Sequence, residues 1–173
     1  MLILKSTCGI TFGRFALPHF GHVELIEQIL DNAHYADVHL SGHEKNNDWD
    51  IRVVLLKHLC RLHQIDLTRV NFYNSRTVSE AMAFSLDTVE DDAVLVLGSD
   101  QVKMGKAIST AFNTSFLVNR RSTSSTEIRH FLDTFDTLED LREHVYDGDE
   151  FAITLAKLLR KEEISREKLR TIA

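Results

Sequence analysis

The chain has 173 residues, of which 43% are hydrophobic, and its formal net charge at pH 7 is −6. This length fits one domain with a sizeable core. No run approaches the roughly 18 apolar residues of a membrane span, so we expect no membrane partner. A protein that holds nucleic acid through its phosphates needs a basic excess, so the acidic balance predicts no nucleic-acid partner. The binding of a single nucleotide stays open, because a few cations and helix N-termini suffice for it.

The N-terminus and the cysteines indicate a cytoplasmic protein. Residues 1–12 lack the basic region and the long apolar stretch of a secretory signal. Only two cysteines occur, Cys8 and Cys60, in no CxxC pattern. This usage favours free thiols in a reducing compartment over a disulfide.

In chain order, short apolar runs alternate with segments whose apolar residues recur at helical spacing. The runs predict five strands, at residues 10–15, 36–40, 70–73, 93–97 and 115–118. The first two helical stripes comprise Val23, Ile26, Ile29 and Leu30, then Ile51, Leu55, Leu59 and Leu62. Asn47 or Asp48 is the expected cap of the second helix, and Thr77 with Glu80 matches a capping box before the third.

Strands that alternate with helices indicate βαβ units. We therefore expect an α/β fold, with a Rossmann-like, doubly wound, parallel five-stranded sheet over residues 1–135. Residues 136–173 are predicted to form a helical C-terminal extension, packed on the same domain or at a subunit interface, which leaves a homo-oligomer open. In such sheets ligands bind beyond the carboxyl ends of the strands, so chemistry is expected in the loops after the first, fourth and fifth strands.

The segment that joins the first strand to the first helix carries the clearest candidate site. It reads Gly-Arg-Phe-Ala-Leu-Pro-His-Phe-Gly-His over residues 13–22. His19 and His22 are three residues apart, so both rings can face a phosphate at the helix N-terminus, where free N–H groups and the dipole favour anions. Arg14 would add a charge-assisted contact. A histidine pair is more often structural, and no further Cys or His stands at the spacing of a zinc site, so no protein-bound metal is predicted.

A second candidate site follows the fifth strand, where residues 124–129 read Ser-Ser-Thr-Glu-Ile-Arg. Ser124 with Glu127 satisfies a capping box, which by itself explains much of the pattern. Hydroxyls and backbone N–H groups at a helix N-terminus also make a phosphate cradle, and Arg129 could reach back to a phosphate from one turn inside.

Together the two segments resemble the HxGH-type nucleotidyltransferase superfamily. The first is similar to the GRFQPxHxGH signature of archaeal-type nicotinamide mononucleotide (NMN) adenylyltransferases, with residues 16–18 reading Ala-Leu-Pro in place of Gln-Pro-x. The second is similar to the ISSTxIR motif, with Thr123 in place of isoleucine. The resemblance covers roughly residues 8 to 132 of the chain.

The resemblance implies an enzyme that joins ATP to a phosphate-bearing acceptor such as NMN and releases pyrophosphate, with Mg²⁺ bound mainly through the nucleotide. The implied catalytic residues are His19, His22 and Arg129. The implied nucleotide- and phosphate-binding residues are Gly13, Arg14, Phe15, Gly21, Asp100, Ser124, Ser125 and Thr126, and the implied acceptor-binding residues are Lys45 and Trp49. Asp100 follows the fourth strand and equally suits a helix N-cap, whereas Lys45 could be a surface charge and Trp49 a core or lid residue.

Two alternatives stay open at this point. Cytidylyltransferases and phosphopantetheine-type adenylyltransferases belong to the same superfamily, but many of them have Asp where this chain has Ala16. A non-catalytic nucleotide-binding domain is the other alternative. A P-loop kinase is excluded, because the sequence contains no GxxxxGK[ST] motif.

Overall fold

The structure is a computed structural model that describes residues 5–15, 18–42, 49–89 and 92–119. These residues fall into two compact units. The larger unit contains residues 5–14, 24–42, 66–89 and 92–119, and the smaller contains residues 15, 18–23 and 49–65. The predicted boundary at residue 135 and the predicted helical extension at 136–173 lie outside the described residues.

The larger unit contains a parallel five-stranded sheet, which confirms the predicted fold class. Its strands are β1 (Ser6–Gly13), β2 (Ala33–Leu40), β3 (Val70–Asn74), β4 (Ala93–Gly98) and β5 (Ser115–Asn119). They lie in the order β3-β2-β1-β4-β5, so the direction of winding reverses between β1 and β4. Such a reversal defines the switch point of a doubly wound sheet.

The first two strands differ from the predicted ones at their ends. β1 begins at Ser6 rather than at residue 10, because it already pairs there with Ala33 of β2, which in turn begins three residues earlier than predicted. β1 ends at Gly13 rather than at residue 15. Phe15 has a φ of 50°, a left-handed conformation that an extended strand does not contain.

Among the described residues, four α-helices alternate with these strands: α1 (Phe20–Asn32), α2 (Trp49–Leu62), α3 (Val78–Val89) and α4 (Val102–Phe112). The predicted capping box of α3 forms in part. Glu80 N donates to Thr77 Oγ1 over 3.1 Å, but the Glu80 carboxylate accepts from Arg76 N over 3.0 Å instead of from Thr77. The predicted caps of α2 lie outside the described residues. No helix of the described part of the chain is both long and apolar enough to cross a membrane.

The two faces of β1 pack differently. A Cβ atom at Gly9 would lie 2.2 Å from Ile29 Cγ2, so α1 can pack this closely only because position 9 has no side chain. Side chains alternate along a strand, so the neighbouring residues of β1 belong to the opposite face. There they join an apolar core whose buried members are Cys8, Ile10, Val78, Met82, Ala93, Leu95 and Leu97. β4 is buried over its whole length, as its continuous apolar sequence predicts.

Candidate active site

The two halves of the sheet part at the carboxyl ends of β1 and β4. Pairing between these strands stops at Ile10 and Leu95, yet β1 continues to Gly13 and β4 to Gly98. On their outer sides both strands stay paired to their last residue, β1 with β2 and β4 with β5. A crevice therefore opens between β1 and β4 at the switch point, which is where doubly wound sheets bind their ligands.

Two polar side-chain atoms near this crevice are buried and, within the described part of the chain, have no hydrogen-bond partner: Thr11 Oγ1 on β1 and Asn119 Nδ2 at the end of β5. Buried polar groups are nearly always hydrogen-bonded, so each of these atoms calls for a partner outside the described residues, such as a ligand or a water molecule. Neither residue is among the predicted site residues. A polar residue inside or at the end of an apolar strand is the signal that could have found them.

The predicted site residues of the larger unit lie at the same carboxyl ends. Gly13 closes β1, and its carbonyl accepts from Ser41 N over 2.8 Å, which ties the end of β1 to the residue after β2. Arg14 follows and is exposed. Asp100 lies in a short 3₁₀ turn, Ser99–Gln101, directly after β4. The interpretation of Asp100 as the cap of the next helix is wrong, because Gln101 occupies the N-cap of α4. Contact with a ribose stays a prediction.

In the smaller unit, His19 and His22 cap the first turn of α1 reciprocally. His19 precedes the helix, and its Nδ1 accepts from Gly21 N over 3.0 Å. His22 stands three residues later, and its Nδ1 accepts from His19 N over 3.2 Å. This resembles a capping box with imidazoles in place of the usual serine and glutamate, except that the His19 ring accepts from the second rather than the third residue of the helix. Two N–H groups that were expected to face phosphate therefore donate to the histidines instead.

The reciprocal bonds define the tautomer of both rings. A backbone N–H can only donate, so each Nδ1 must carry a lone pair, and each ring is a neutral imidazole with its proton on Nε2. The rings stack with their centroids 3.9 Å apart and their planes at 27°. Both side chains are buried, His19 completely. Each of the two stacked rings thus carries an Nε2–H donor, a group that can stabilise charge on a phosphate oxygen.

Phe15 supports this pair. Its ring centroid lies 4.7 Å from that of His22, and its side chain is buried. Its left-handed backbone, with a φ of 50°, costs about 1–2 kcal/mol for a residue with a Cβ atom. Strained residues of this kind concentrate at ligand sites, where the surrounding structure holds them in place. The Phe15 conformation is therefore consistent with a binding loop.

Of the remaining predicted site residues, Trp49 is the one that lies within the described part of the chain. Trp49 is the first residue of α2, and its indole Nε1 is buried without a hydrogen-bond partner in the described part of the chain. This leaves the indole N–H available to a ligand, but the acceptor-binding role stays a prediction. The others lie outside the described residues, namely Lys45, Ser124, Ser125, Thr126 and Arg129.

Among the described residues, no three His, Cys, Asp or Glu side chains come together as metal ligands do. A magnesium ion bound through nucleotide phosphates and water needs no such group of side chains.

Comparison with known proteins identifies the fold. No protein-family model matches the chain, and no curated protein matches its sequence. Solved structures do match. One is a bifunctional NMN adenylyltransferase/ADP ribose pyrophosphatase from Francisella tularensis, with a TM-score of 0.66 and 13% identity over 90% of this chain and 50% of that one. The chain therefore spans about half the length of the Francisella protein.

Two further structures match over nearly their whole length. A nicotinate-nucleotide adenylyltransferase from Vibrio parahaemolyticus has a TM-score of 0.61 and 18% identity over 90% of this chain and 96% of that one. A nicotinic acid mononucleotide adenylyltransferase from Plasmodium falciparum has a TM-score of 0.61 and 13% identity over 88% and 96%. At such low identity these likenesses show a shared fold, the Rossmann-like α/β sheet with flanking helices.

Proposed function

We propose that the chain is a nucleotidyltransferase that transfers the adenylyl group of ATP to the phosphate of NMN, forming NAD and pyrophosphate. The observation that carries the proposal is the reciprocal capping of His19 and His22, which makes both Nε2 atoms donors. The fold supports it as well, since the Vibrio and Plasmodium structures, each with a TM-score of 0.61, are described as adenylyltransferases of nicotinate nucleotides. The crevice at the switch point supports a nucleotide ligand.

The reaction is an in-line displacement at the α-phosphorus of ATP. A phosphate oxygen of the acceptor forms the new P–O bond, the bond from the α-phosphorus to the bridging oxygen breaks, and the electron pair leaves with pyrophosphate. The acceptor phosphate is already ionised, so no general base and no protein nucleophile are required. Catalysis then depends on holding two anions in line and on stabilising the charge that moves to the leaving group.

The proposed roles follow the chemistry of each side chain. His19 and His22 donate from Nε2 to phosphate oxygens of ATP, and Gly13, Arg14, Phe15 and Gly21 form the loop and helix start around them. Asp100 accepts from a ribose hydroxyl. Ser124, Ser125, Thr126 and Arg129 hold the β- and γ-phosphates, and Lys45 and Trp49 contact the acceptor. A Mg²⁺ ion carried by the nucleotide would neutralise phosphate charge. A structure of the Francisella protein complexed with AMP and a manganese ion supports the use of a divalent metal.

The donor NTP and the acceptor are tested together. Pyrophosphate release is measured with Mg-ATP and Mg-CTP, each paired with NMN, nicotinate mononucleotide, phosphopantetheine and glycerol 3-phosphate, and each product is identified by mass. Formation of NAD from ATP and NMN supports the proposal. Release with another pair retains the mechanism and replaces the substrates, with a cytidylyltransferase as the outcome if CTP is used. ATP binding without release from any pair favours a non-catalytic nucleotide-binding domain.

A further inference from the structure

A buried chain of polar side chains lies in the larger unit. It consists of Asp37 and His39 on β2, Ser75 directly after β3, and Ser85 on α3, and we call it the His39 relay. All four side chains are buried. Burial of this much polar surface is unfavourable unless every group is hydrogen-bonded, so the relay needs an explanation beyond core packing.

The hydrogen bonds of the relay run in one direction. The Asp37 carboxylate accepts on both oxygens, from Asn71 Nδ2 over 3.1 Å and from the Ser85 hydroxyl over 2.6 Å. Because the Ser85 hydrogen points at Asp37, its oxygen must accept from His39 Nε2, 2.8 Å away. His39 Nδ1 then carries the lone pair and accepts from the Ser75 hydroxyl, 2.7 Å away. The relay therefore holds His39 as the neutral Nε2–H tautomer.

The surroundings of His39 favour this neutral form. Burial lowers the pKa of its imidazole, and the negative charges of Asp37 and Glu80 offset this only in part. The Tyr73 ring lies 5.1 Å from the imidazole and the Phe84 ring 6.0 Å, so aromatic residues of β3 and α3 enclose it. A serine that donates to a histidine resembles the start of a catalytic triad, but Ser75 is buried, which favours a structural role over a nucleophilic one.

The first residue of the relay, Ser75, lies at the carboxyl edge of the sheet. Ser75 donates from its hydroxyl to His39 and from its backbone N to the Leu40 carbonyl, 3.1 Å away. Ser41, which follows Leu40 in the chain, donates from its backbone N to the Gly13 carbonyl. Ser75 thus links the ends of β3 and β2, and Ser41 extends the link to the end of β1. This is the β1 side of the crevice.

We propose that His39 is a positioning residue, which through Ser75 holds the ends of β1, β2 and β3 in the arrangement that receives the nucleotide. The effect on substrate rests on the proposed function, in which Gly13 at the end of β1 and Arg14 after it belong to the ATP-binding loop. Loss of the relay therefore weakens ATP binding.

The structural half of the proposal is tested without any activity measurement. Nitrogen-15 spectra of the imidazoles report which ring nitrogen carries the proton, and His39 is assigned by its loss in His39→Gln. We expect the Nε2–H tautomer in the wild type. We also expect the amide signals of Gly13 and Ser41 to shift in Ser75→Ala and to return in Ser75→Thr, which keeps the hydroxyl. The matched control is Ser109→Ala, since the Ser109 hydroxyl bonds only a carbonyl of its own helix.

The functional half is tested by steady-state kinetics of the same variants with ATP and NMN. Ser75→Ala should raise the KM for ATP by about 5- to 20-fold, the loss expected for one buried hydrogen bond, with a much smaller change in kcat. Ser75→Thr should recover most of the wild-type KM, and Ser109→Ala should match the wild type.

The outcomes separate the two proposals. A wild-type protein without turnover overturns the proposed function, while the tautomer and the amide shifts still decide the role of the relay. The Nδ1–H tautomer, or unchanged Gly13 and Ser41 amides in Ser75→Ala, overturns the positioning role. An unchanged KM for ATP in Ser75→Ala, or a Ser109→Ala variant as impaired as Ser75→Ala, would also overturn it. If Ser75→Ala does not fold, the wild-type tautomer together with the Ser75→Thr kinetics decides.

Discussion

Replacing His22 separates two roles that its imidazole can play, a helix cap through Nδ1 and a phosphate donor through Nε2. His22→Ala removes both roles. His22→Gln keeps the first, because glutamine at the third helical position accepts from the N-cap N–H in ordinary capping boxes. If the histidine pair is only a cap, glutamine should replace His22 fully. If the pair also stabilises charge on the phosphates, glutamine should restore stability but not the reaction rate.

The magnitudes follow from the contacts. His22 Nδ1 accepts a single backbone bond, from His19 N, and loss of a capping bond costs about 1 kcal/mol in the free energy of unfolding. For a chain of this size that corresponds to a fall in Tm of about 2–4 °C. In the alanine variant, loss of the imidazole, which stacks on His19 and contacts the Phe15 ring, lowers the free energy of unfolding further. Removal of one preorganised donor lowers kcat by about 10²- to 10³-fold, or about 3–4 kcal/mol.

The assay pairs thermal unfolding with NAD formation for the wild type, His22→Ala and His22→Gln. We expect His22→Ala to be destabilised and nearly inactive, and His22→Gln to have a Tm close to that of the wild type with kcat lowered by at least about 30-fold. A glutamine variant that turns over within a few-fold of the wild type would refute the donor role and leave the histidines as a cap. A control with alanine at the exposed Glu27, on the same helix as His22, should change neither quantity.

Three further predictions concern the larger unit. Gly9→Ala should lower the free energy of unfolding by about 1–3 kcal/mol in chemical denaturation, because the new Cβ atom would meet the buried Ile29 side chain; an unchanged midpoint contradicts the close packing. Thr11→Val should stabilise the ligand-free protein by about 1 kcal/mol, because it removes a buried hydroxyl that has no hydrogen-bond partner among the described residues; destabilisation would mean that the hydroxyl is bonded. The pKa of His39 lies below its ordinary value of 6.5 because of burial, so the unfolded chain binds more protons than the folded one below that pH, and stability should fall as the pH falls. His39→Gln should flatten this dependence in denaturant titrations at several pH values, and an unchanged slope would contradict the assignment.

Most of the fold follows from local sequence patterns. The continuous apolar run of β4 and the alternation of strands and helices suffice to predict a parallel doubly wound sheet. The ends of β1 are less predictable, because they depend on partners elsewhere in the chain. Its start depends on pairing with Ala33, and its end depends on a left-handed Phe15 that no propensity scale anticipates.

The candidate site can be proposed from the sequence, but its hydrogen bonds cannot. The spacing of His19 and His22 after the first strand points to both residues, yet the sequence does not show that each ring accepts a backbone N–H of the same helix start. The His39 relay is harder to foresee. Asp37 and His39 alternate with apolar residues on β2, which in a sequence is typical of a solvent-facing side of a strand, whereas α3 and the end of β3 bury that side here.

The central claim is adenylyl transfer to the phosphate of NMN. It is tested most directly by incubating the protein with Mg-ATP and NMN whose phosphate oxygens carry oxygen-18, followed by mass analysis of both products. Attack by the acceptor phosphate on the α-phosphorus predicts NAD that retains the whole label and pyrophosphate without any label. Absence of NAD, or label in the pyrophosphate, would contradict the account.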